Sequence, residues 1–198
     1  MSFKILDGKG SGREAEVDVE NRLKTRAVTE SEFVAASELG DAFSISSGFI
    51  TLTSANPSAI LYVKNNNTLD LVVETVFVTH QISTGGVGGA LVSATRNDTG
   101  GTLITNAVPG IAQNINFGSA KEFPGLVYAG VEGDTVTGGL PFGGFYQNTE
   151  QADFDELRLP GITLPQGSDI AFTVTPAPGN TNLNIAVIAR AFYRPTGV

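Results

Sequence analysis

The sequence predicts an all-β protein, two packed antiparallel sheets behind an extended N-terminal arm, with one short helix joining the two. Three observations lead there. The 24 glycines and 9 prolines of this 198-residue chain fall between short apolar runs, a texture of many strands and turns rather than of a helix bundle. The runs alternate or are rich in β-branched residues, as a half-buried pleated surface requires. Hydrophobic residues make up 41% of the chain, enough for one sizeable core.

Charge separates arm from body. The net charge is −8. The first 30 residues hold six bases (Lys4, Lys9, Arg13, Arg22, Lys24, Arg26) and six acids (Asp7, Glu14, Glu16, Asp18, Glu20, Glu30), so that stretch is densely charged and neutral. The rest carries the whole excess of acids, which argues against nucleic-acid binding. There is no cysteine, which excludes disulfides, thiolate chemistry and cysteine-based zinc sites. No apolar run approaches the roughly 18 residues of a membrane span. The opening MSFKILDGKGSG lacks a signal-peptide core, so synthesis in the cytosol with no removed leader is expected.

Residues 1–28 form the arm. Ala15, Val17 and Val19 alternate with Glu14, Glu16, Asp18 and Glu20, a pattern suited to an extended strand with one apolar edge. Alone, such a segment has too little apolar surface to offset its ordering entropy. It is either a tail or docked on something else, and alternation running on to Leu23 and Val28 favours docking. Ala15, Val17, Val19 and Leu23 are the expected buried edge, with Arg22 and Arg26 placed to pair with carboxylates on a partner. Residues 29–40 follow as a linking helix of about 8 to 10 residues. Thr29 with Glu32 three positions on has the form of a capping box, and Gly40 is a natural stop.

The body spans 41–198. Ala42–Ser46 and Gly48–Thr53 alternate as strands. The organising stretch is Ala59–Gln81: Ile60–Val63, then Leu69–Val78, joined at a tight turn through Asn65-Asn66-Asn67, residues that tolerate left-handed backbone. Thr84–Gly89 reads as a loop and Ala90–Arg96 as a strand. Residues 102–150, with Pro109, Pro124, Pro141 and many glycines, read as long loops carrying short strands near Ile115–Phe117 and Leu126–Val131. Such loops serve recognition or lie under a neighbour. Phe154–Leu159, Ile162–Leu164, Asp169–Thr175 and Leu183–Tyr193 complete the strands. About eight antiparallel strands at this spacing fit a jelly-roll-type sandwich.

Candidate chemistry is sparse. His80 is the single histidine, at an expected strand end, and no serine sits in a nucleophile elbow, so a surface or capping role is expected rather than a triad. Asp153, Asp155 and Glu156, with Glu150 nearby, are the densest acid group. They are the first place to look for a metal or a carboxylate pair, although no calcium-loop spacing is present. The glycine clusters at 85–89 and 138–144 match no phosphate-binding loop. Phe142, Phe145 and Tyr146 lie in a glycine-rich segment, either exposed as a binding surface or tucked beneath it. Neither a catalytic nor a cofactor-binding residue is expected.

The N-terminal third also resembles a group of tailed-bacteriophage virion proteins. The likeness rests on Leu6-Asp-Gly-Lys-Gly-Ser-Gly12, Ala15-Glu-Val-Asp-Val-Glu-Asn-Arg-Leu23, Arg26-Ala-Val-Thr-Glu30, Ala36-Ser-Glu-Leu-Gly-Asp-Ala-Phe43, Ile50-Thr-Leu-Thr-Ser54 and Ile60-Leu-Tyr-Val-Lys-Asn65. The resemblance implies a jelly-roll capsid cement or decoration protein, often trimeric, while some members belong to fibres or tails. It brings no catalytic residues. The expectation is thus a structural protein without turnover, at the capsid surface and made in the host cytoplasm. Its partners would be the major capsid protein and copies of itself as a homotrimer. The rivals are a glycan-binding fibre or tail protein that uses loops 102–150, and a carbohydrate-active sandwich that uses Asp153 or Asp155 with Glu156.

Overall fold

The computed structural model describes residues 31–81, 89–148, 154–179 and 182–194, together with three short strands at 4–6, 14–17 and 23–24. The chain divides into two compact units, Met1–Ser31 and Glu32–Val198. The first contains a three-stranded antiparallel sheet of β1 (Lys4–Leu6), β2 (Glu14–Val17) and β3 (Leu23–Lys24), with β2 in the centre. The arm is therefore a small meander rather than one extended strand.

The second unit begins with α1 (Glu32–Glu38) and continues through β4 (Ala42–Ser46), β5 (Ile50–Leu52), β6 (Ser58–Lys64), β7 (Asp70–Gln81) and β8 (Gly89–Arg96). After α2 (Thr102–Asn106) come β9 (Ile111–Asn114), β10 (Leu126–Ala129), β11 (Leu140–Asn148), β12 (Phe154–Leu164), β13 (Asp169–Pro176) and β14 (Leu183–Arg194). One sheet has the order β10-β6-β13-β8-β11; the other has β12-β7-β14-β4-β9, with β5 also on β14. Setting aside β9 and β10, and taking β4 with β5 as one bent strand, leaves two sheets of four, β6-β13-β8-β11 and β4-β14-β7-β12. That is the double Greek key of a jelly roll.

The bend between β4 and β5 has a local cause. At Ser47 the chain leaves the ladder, and the Ser47 hydroxyl accepts the Val187 amide (3.0 Å) while donating to the Gly48 carbonyl (2.7 Å). The Ser47 amide still reaches the Val187 carbonyl at 3.0 Å. Pairing with β14 then resumes at Ile50, opposite Ile185.

Alternation fills the core. Phe43 and Ile45 from one sheet edge, Leu71, Val73, Val76 and Val78 from β7, and Leu183, Ile185 and Val187 from β14 face Leu61, Val63, Val92, Ile170, Phe172 and Val174. All are buried. Phe123, Phe43 and Tyr193 close one end, with ring centroids 5.3 to 6.1 Å apart.

The two organising strands exist as expected, yet they do not pair with each other. β6 and β7 lie in different sheets, and the asparagine segment is the corner between them. No residue from Asn65 to Asn67 has a positive φ. Side-chain hydrogen bonds shape the corner instead. Asn65 is fully buried. Its amide group donates to the carbonyls of Leu69 and Leu164, both at 2.8 Å, and its side-chain oxygen accepts the Asn67 amide at 2.9 Å. Its backbone reaches the β12–β13 turn through Ser168 (2.9 Å) and Gly167 (2.7 Å).

α1 is one to three residues shorter than expected. It ends through Gly40, at φ 74°, whose amide bonds Ser37 while the Asp41 amide bonds Ala36. Ala36 and Phe33 pack on Ala42, Val72 and Phe192 on the outer face of the second sheet. β12 is one strand interrupted by a register shift between Arg158 and Ile162, where the sequence suggested two segments.

Residues 97–139 form a long insertion between β8 and β11. Sequence placed a strand at Ile115–Phe117; the strand is Ile111–Asn114, and the insertion adds a second helix, α2. β9 extends the second sheet beyond β4, β10 extends the first beyond β6, and Val108–Gly110 bridges to β10 through the Gly110 and Ala129 amides. This edge of the sandwich is therefore closed. Leu103 of α2 is buried against Ala59, Tyr62 and Ala171 on the outer face of the first sheet. The neck of the insertion is the antiparallel bridge Gly100–Thr137. Gly101 adopts φ 113° there, and a Cβ would collide with the Thr135 carbonyl.

Replacing Asn65 with Ala leaves the Leu69 and Leu164 carbonyls without their donor, at about 1–3 kcal/mol each. We expect thermal denaturation of Asn65→Ala to show a midpoint roughly 5–15 °C below the parent. An unchanged midpoint would mean that the corner does not hold the sheets together.

Candidate functional site

Register makes the arm sheet two-faced. Ile5 lies opposite Ala15, and Val17 opposite Leu23, so these four residues share one face of the sheet. On the other face Glu16 stands opposite Lys4 on one side and Lys24 on the other, with Leu6 opposite Glu14.

Three of the expected arm residues, Ala15, Val17 and Leu23, thus come together. Val19, Arg22 and Arg26 lie outside the described residues. Ile5 was missed by sequence reasoning. Its signal was the short apolar pair Ile5-Leu6 ahead of Asp7-Gly8, which means nothing until the pairing with β2 is known.

The candidates in the body fall into place differently. His80 is 3% exposed, not on the surface. β7 runs on to Gln81 and is covered along its length by β14, so His80, opposite Ile185, occupies the same inward parity as Val76 and Val78. Asp155 and Glu156 are consecutive in β12 and so lie on opposite faces of that strand; Glu150 and Asp153 lie outside the described residues. Among the described residues no group of three or more His, Cys, Asp or Glu could hold a metal ion. Phe142, Phe145 and Tyr146 are not in a loop but in β11, an edge strand paired with β8. Phe145 packs against the main core, while Phe142 and Tyr146 are exposed. The Tyr146 hydroxyl accepts the Gly89 amide at 2.9 Å, and Leu91 stands exposed directly opposite it.

Among the described residues, the β11–β12 edge is the unpaired side of the sandwich. Two clefts of about 220 and 480 Å³ lie there with Phe142 between them; the larger reaches Ile162 and Leu164 of β12 and Arg96 of β8. On the closed side, the insertion exposes Val108, Ile111 and Val131, and Phe117 is 99% exposed. The Phe117 turn is tied down by Asn116, whose side chain donates to the Glu38 carbonyl (3.1 Å) and accepts the Gly118 amide (3.0 Å).

Sequence reasoning also missed a buried polar group beneath the insertion. Asp98, Asp169 and Tyr62 are all under 9% exposed. The Asp98 amide donates to Asp169 Oδ1 at 2.9 Å, and Thr95 Oγ1 donates to Asp98 Oδ2 at 2.8 Å. Tyr62 is hydrogen-bonded to Asp169 and stacked on Tyr128 at 5.6 Å. Burial, followed by the Asp169 charge, pushes the Tyr62 hydroxyl well above its ordinary value. Burial likewise raises the Asp98 carboxyl, against the opposing effect of the Thr95 hydrogen bond.

Neither the models of known protein families nor the curated proteins give a match to this chain. Among solved structures it is similar to a chain of the T13 IBDV viral particle, at 9% identity and a TM-score of 0.17. The likeness covers 79% of this chain and 40% of that one, so the present chain spans well under half of its length. At that score the likeness carries no argument about fold or function.

Two phenylalanines of the insertion separate anchoring from display. Phe123→Ala should destabilise the fold by roughly 2–4 kcal/mol because its ring packs on Phe43 and Tyr193. Phe117→Ser should stay within about 0.5 kcal/mol. Chemical denaturation of both variants checks this, and equal losses would contradict the placement of the Phe117 ring in solvent.

Proposed function

We propose that this protein is a structural component of a virion, a capsid cement or decoration protein of the tailed-phage type. In this reading it fastens to its neighbours through the apolar face of the arm sheet. The observation that carries the reading is the two-faced arm: Ile5, Ala15, Val17 and Leu23 on one side, the Lys4–Glu16–Lys24 row on the other. A unit of 31 residues lies below the size of about 40 at which a chain folds alone without disulfides, metals or a partner. One buried valine contributes roughly 1.5–3 kcal/mol, so several on one face suffice to hold the arm against a partner surface. The residue-level resemblance of the first third to phage virion proteins and the jelly-roll body support the same reading.

On this reading the partners are the major capsid protein and copies of the chain itself, as a homotrimer, and the site is the outer capsid surface. The protein works by burying area across capsomer junctions and turns over no substrate. A second reading has one observation in its favour. The exposed Tyr146 ring opposite the exposed Leu91 is the kind of surface on which a sugar stacks, as in a glycan-binding fibre or tail protein.

Deletion of residues 1–28 should leave a folded body that no longer binds the particle, and Val17→Asp combined with Leu23→Asp should do nearly the same. Lys9→Ala should change little. Co-sedimentation with virions stripped of the protein measures this. A truncated body that saturates the particle with unchanged affinity would move attachment to the insertion or to the β11 edge.

A further inference from the structure

Asp98 sits at the base of the neck of the insertion, one residue before the amides that close it. The Thr99 and Gly100 amides donate to the Thr137 carbonyl at 2.9 and 3.2 Å, and the Thr137 amide returns to the Gly100 carbonyl at 2.9 Å. The carboxyl lies flat against Gly139, where the insertion rejoins the body at β11, and a Cβ on that glycine would strike Asp98 Oδ1. Asp98 is 8% exposed, and its Oδ1 is buried with no hydrogen-bond partner. The groups that face it are Thr95 from β8, Asp169 from β13, and Tyr62 from β6, with Tyr128 of β10 stacked behind Tyr62. None of them is a cation. The ion pairs found among the described residues, Lys121–Asp41 and Arg194–Glu32, lie elsewhere.

A charged oxygen buried without a donor, beside a second carboxylate, is far more costly than a neutral one. Most of that cost is removed if Asp98 carries a proton on Oδ2, because the 2.8 Å contact then becomes an O–H donated to Thr95 Oγ1, and Oδ1 is left as a neutral carbonyl oxygen against Gly139. We propose that Asp98 is a proton-operated latch on the insertion. Protonated, it holds the neck closed under Gly139; ionised, it faces the charge of Asp169, and the neck opens more often.

The sign follows from linkage. The closed form holds its proton more tightly than the open form, in which the carboxyl is solvated and has an ordinary value near about 4. Closure is therefore strongest below about pH 4. It weakens as pH rises, by up to about tenfold in the opening equilibrium for each pH unit, and levels off once Asp98 is ionised in the closed form as well.

Hydrogen exchange on the full chain, from about pH 4 to 8 and corrected for intrinsic rates, tests this at the Thr99, Gly100 and Thr137 amides. The Val187 amide, in the central strand β14, serves as the reference for global unfolding. In the parent, protection at the three neck amides relative to Val187 should fall as pH rises. Asp98→Asn, neutral and of the same shape, should keep the low-pH level throughout. Asp169→Asn should keep the neck folded with a shallower pH dependence, which preserves the test if Asp98→Asn fails to fold. Identical pH profiles for the parent and both variants would overturn the latch. So would protection at neutral pH restored by millimolar calcium and abolished by chelator, since the two carboxylates would then hold a cation rather than a proton.

Discussion

The Asn65 side chain is the constraint on which the body depends. Four elements meet at it: the end of β6, the start of β7, the end of β12 and the turn into β13. A jelly roll must carry its chain from one sheet to the other many times, and each crossing takes backbone amides and carbonyls out of their ladders. Here a single buried amide supplies two donors and an acceptor at the point where two crossings lie side by side. Aspartate could not donate, and leucine could do neither. The polar cost of that corner is met locally, which lets the surrounding residues be uniformly apolar.

The long insertion then makes the two edges of the sandwich unlike. On one side β9 and β10 extend the two sheets, and Val108–Gly110 bridges toward β10, so little free backbone remains at that seam. On the other side, among the described residues, β11 pairs only with β8 and β12 only with β7, with clefts between them. Exposed edge strands are sites where another chain adds. β11 carries no lysine, and its protection, Pro141 and the register shift beside it, interrupts the ladder at one end only. The insertion is itself held by Phe123 in the core, Leu103 on the outer face, the ladders of β9 and β10, the Lys121–Asp41 and Glu132–Thr53 contacts, and the carboxylates beneath the neck.

Much of the body was legible because its strands obey a local rule. β4, β8, β13 and β14 alternate or run apolar between glycine and proline turns, and their positions follow from side-chain order alone. β11 does not obey that rule. Pro141 and the Gly143-Gly144 pair break its pattern, and it is a strand because β8 offers a backbone ladder, which no local feature reveals. The same limit applies to the sites. Ala15 and Val17 share a face by spacing, and Leu23 joins them by register, but Ile5 needed the β1–β2 pairing. Asp98 and Asp169 lie 71 residues apart, and nothing in either neighbourhood marks it as buried. His80 does stand at the end of β7, one residue before Gln81, but its burial follows from its pairing with β14, which no local feature reveals. The asparagine run was recognised as a turn, but for its backbone tolerance, whereas its use lies in one side chain.

The proposed adhesive role in a virion rests on the apolar face of the arm sheet. A cryo-electron map of the virion proposed to carry this protein tests that account most directly. The account predicts jelly-roll density on the outer capsid surface, with the face of Ile5, Ala15, Val17 and Leu23 seated on a neighbouring chain. Density for this protein at the tail or fibre with the arm face in solvent, or none in the particle at all, would contradict it.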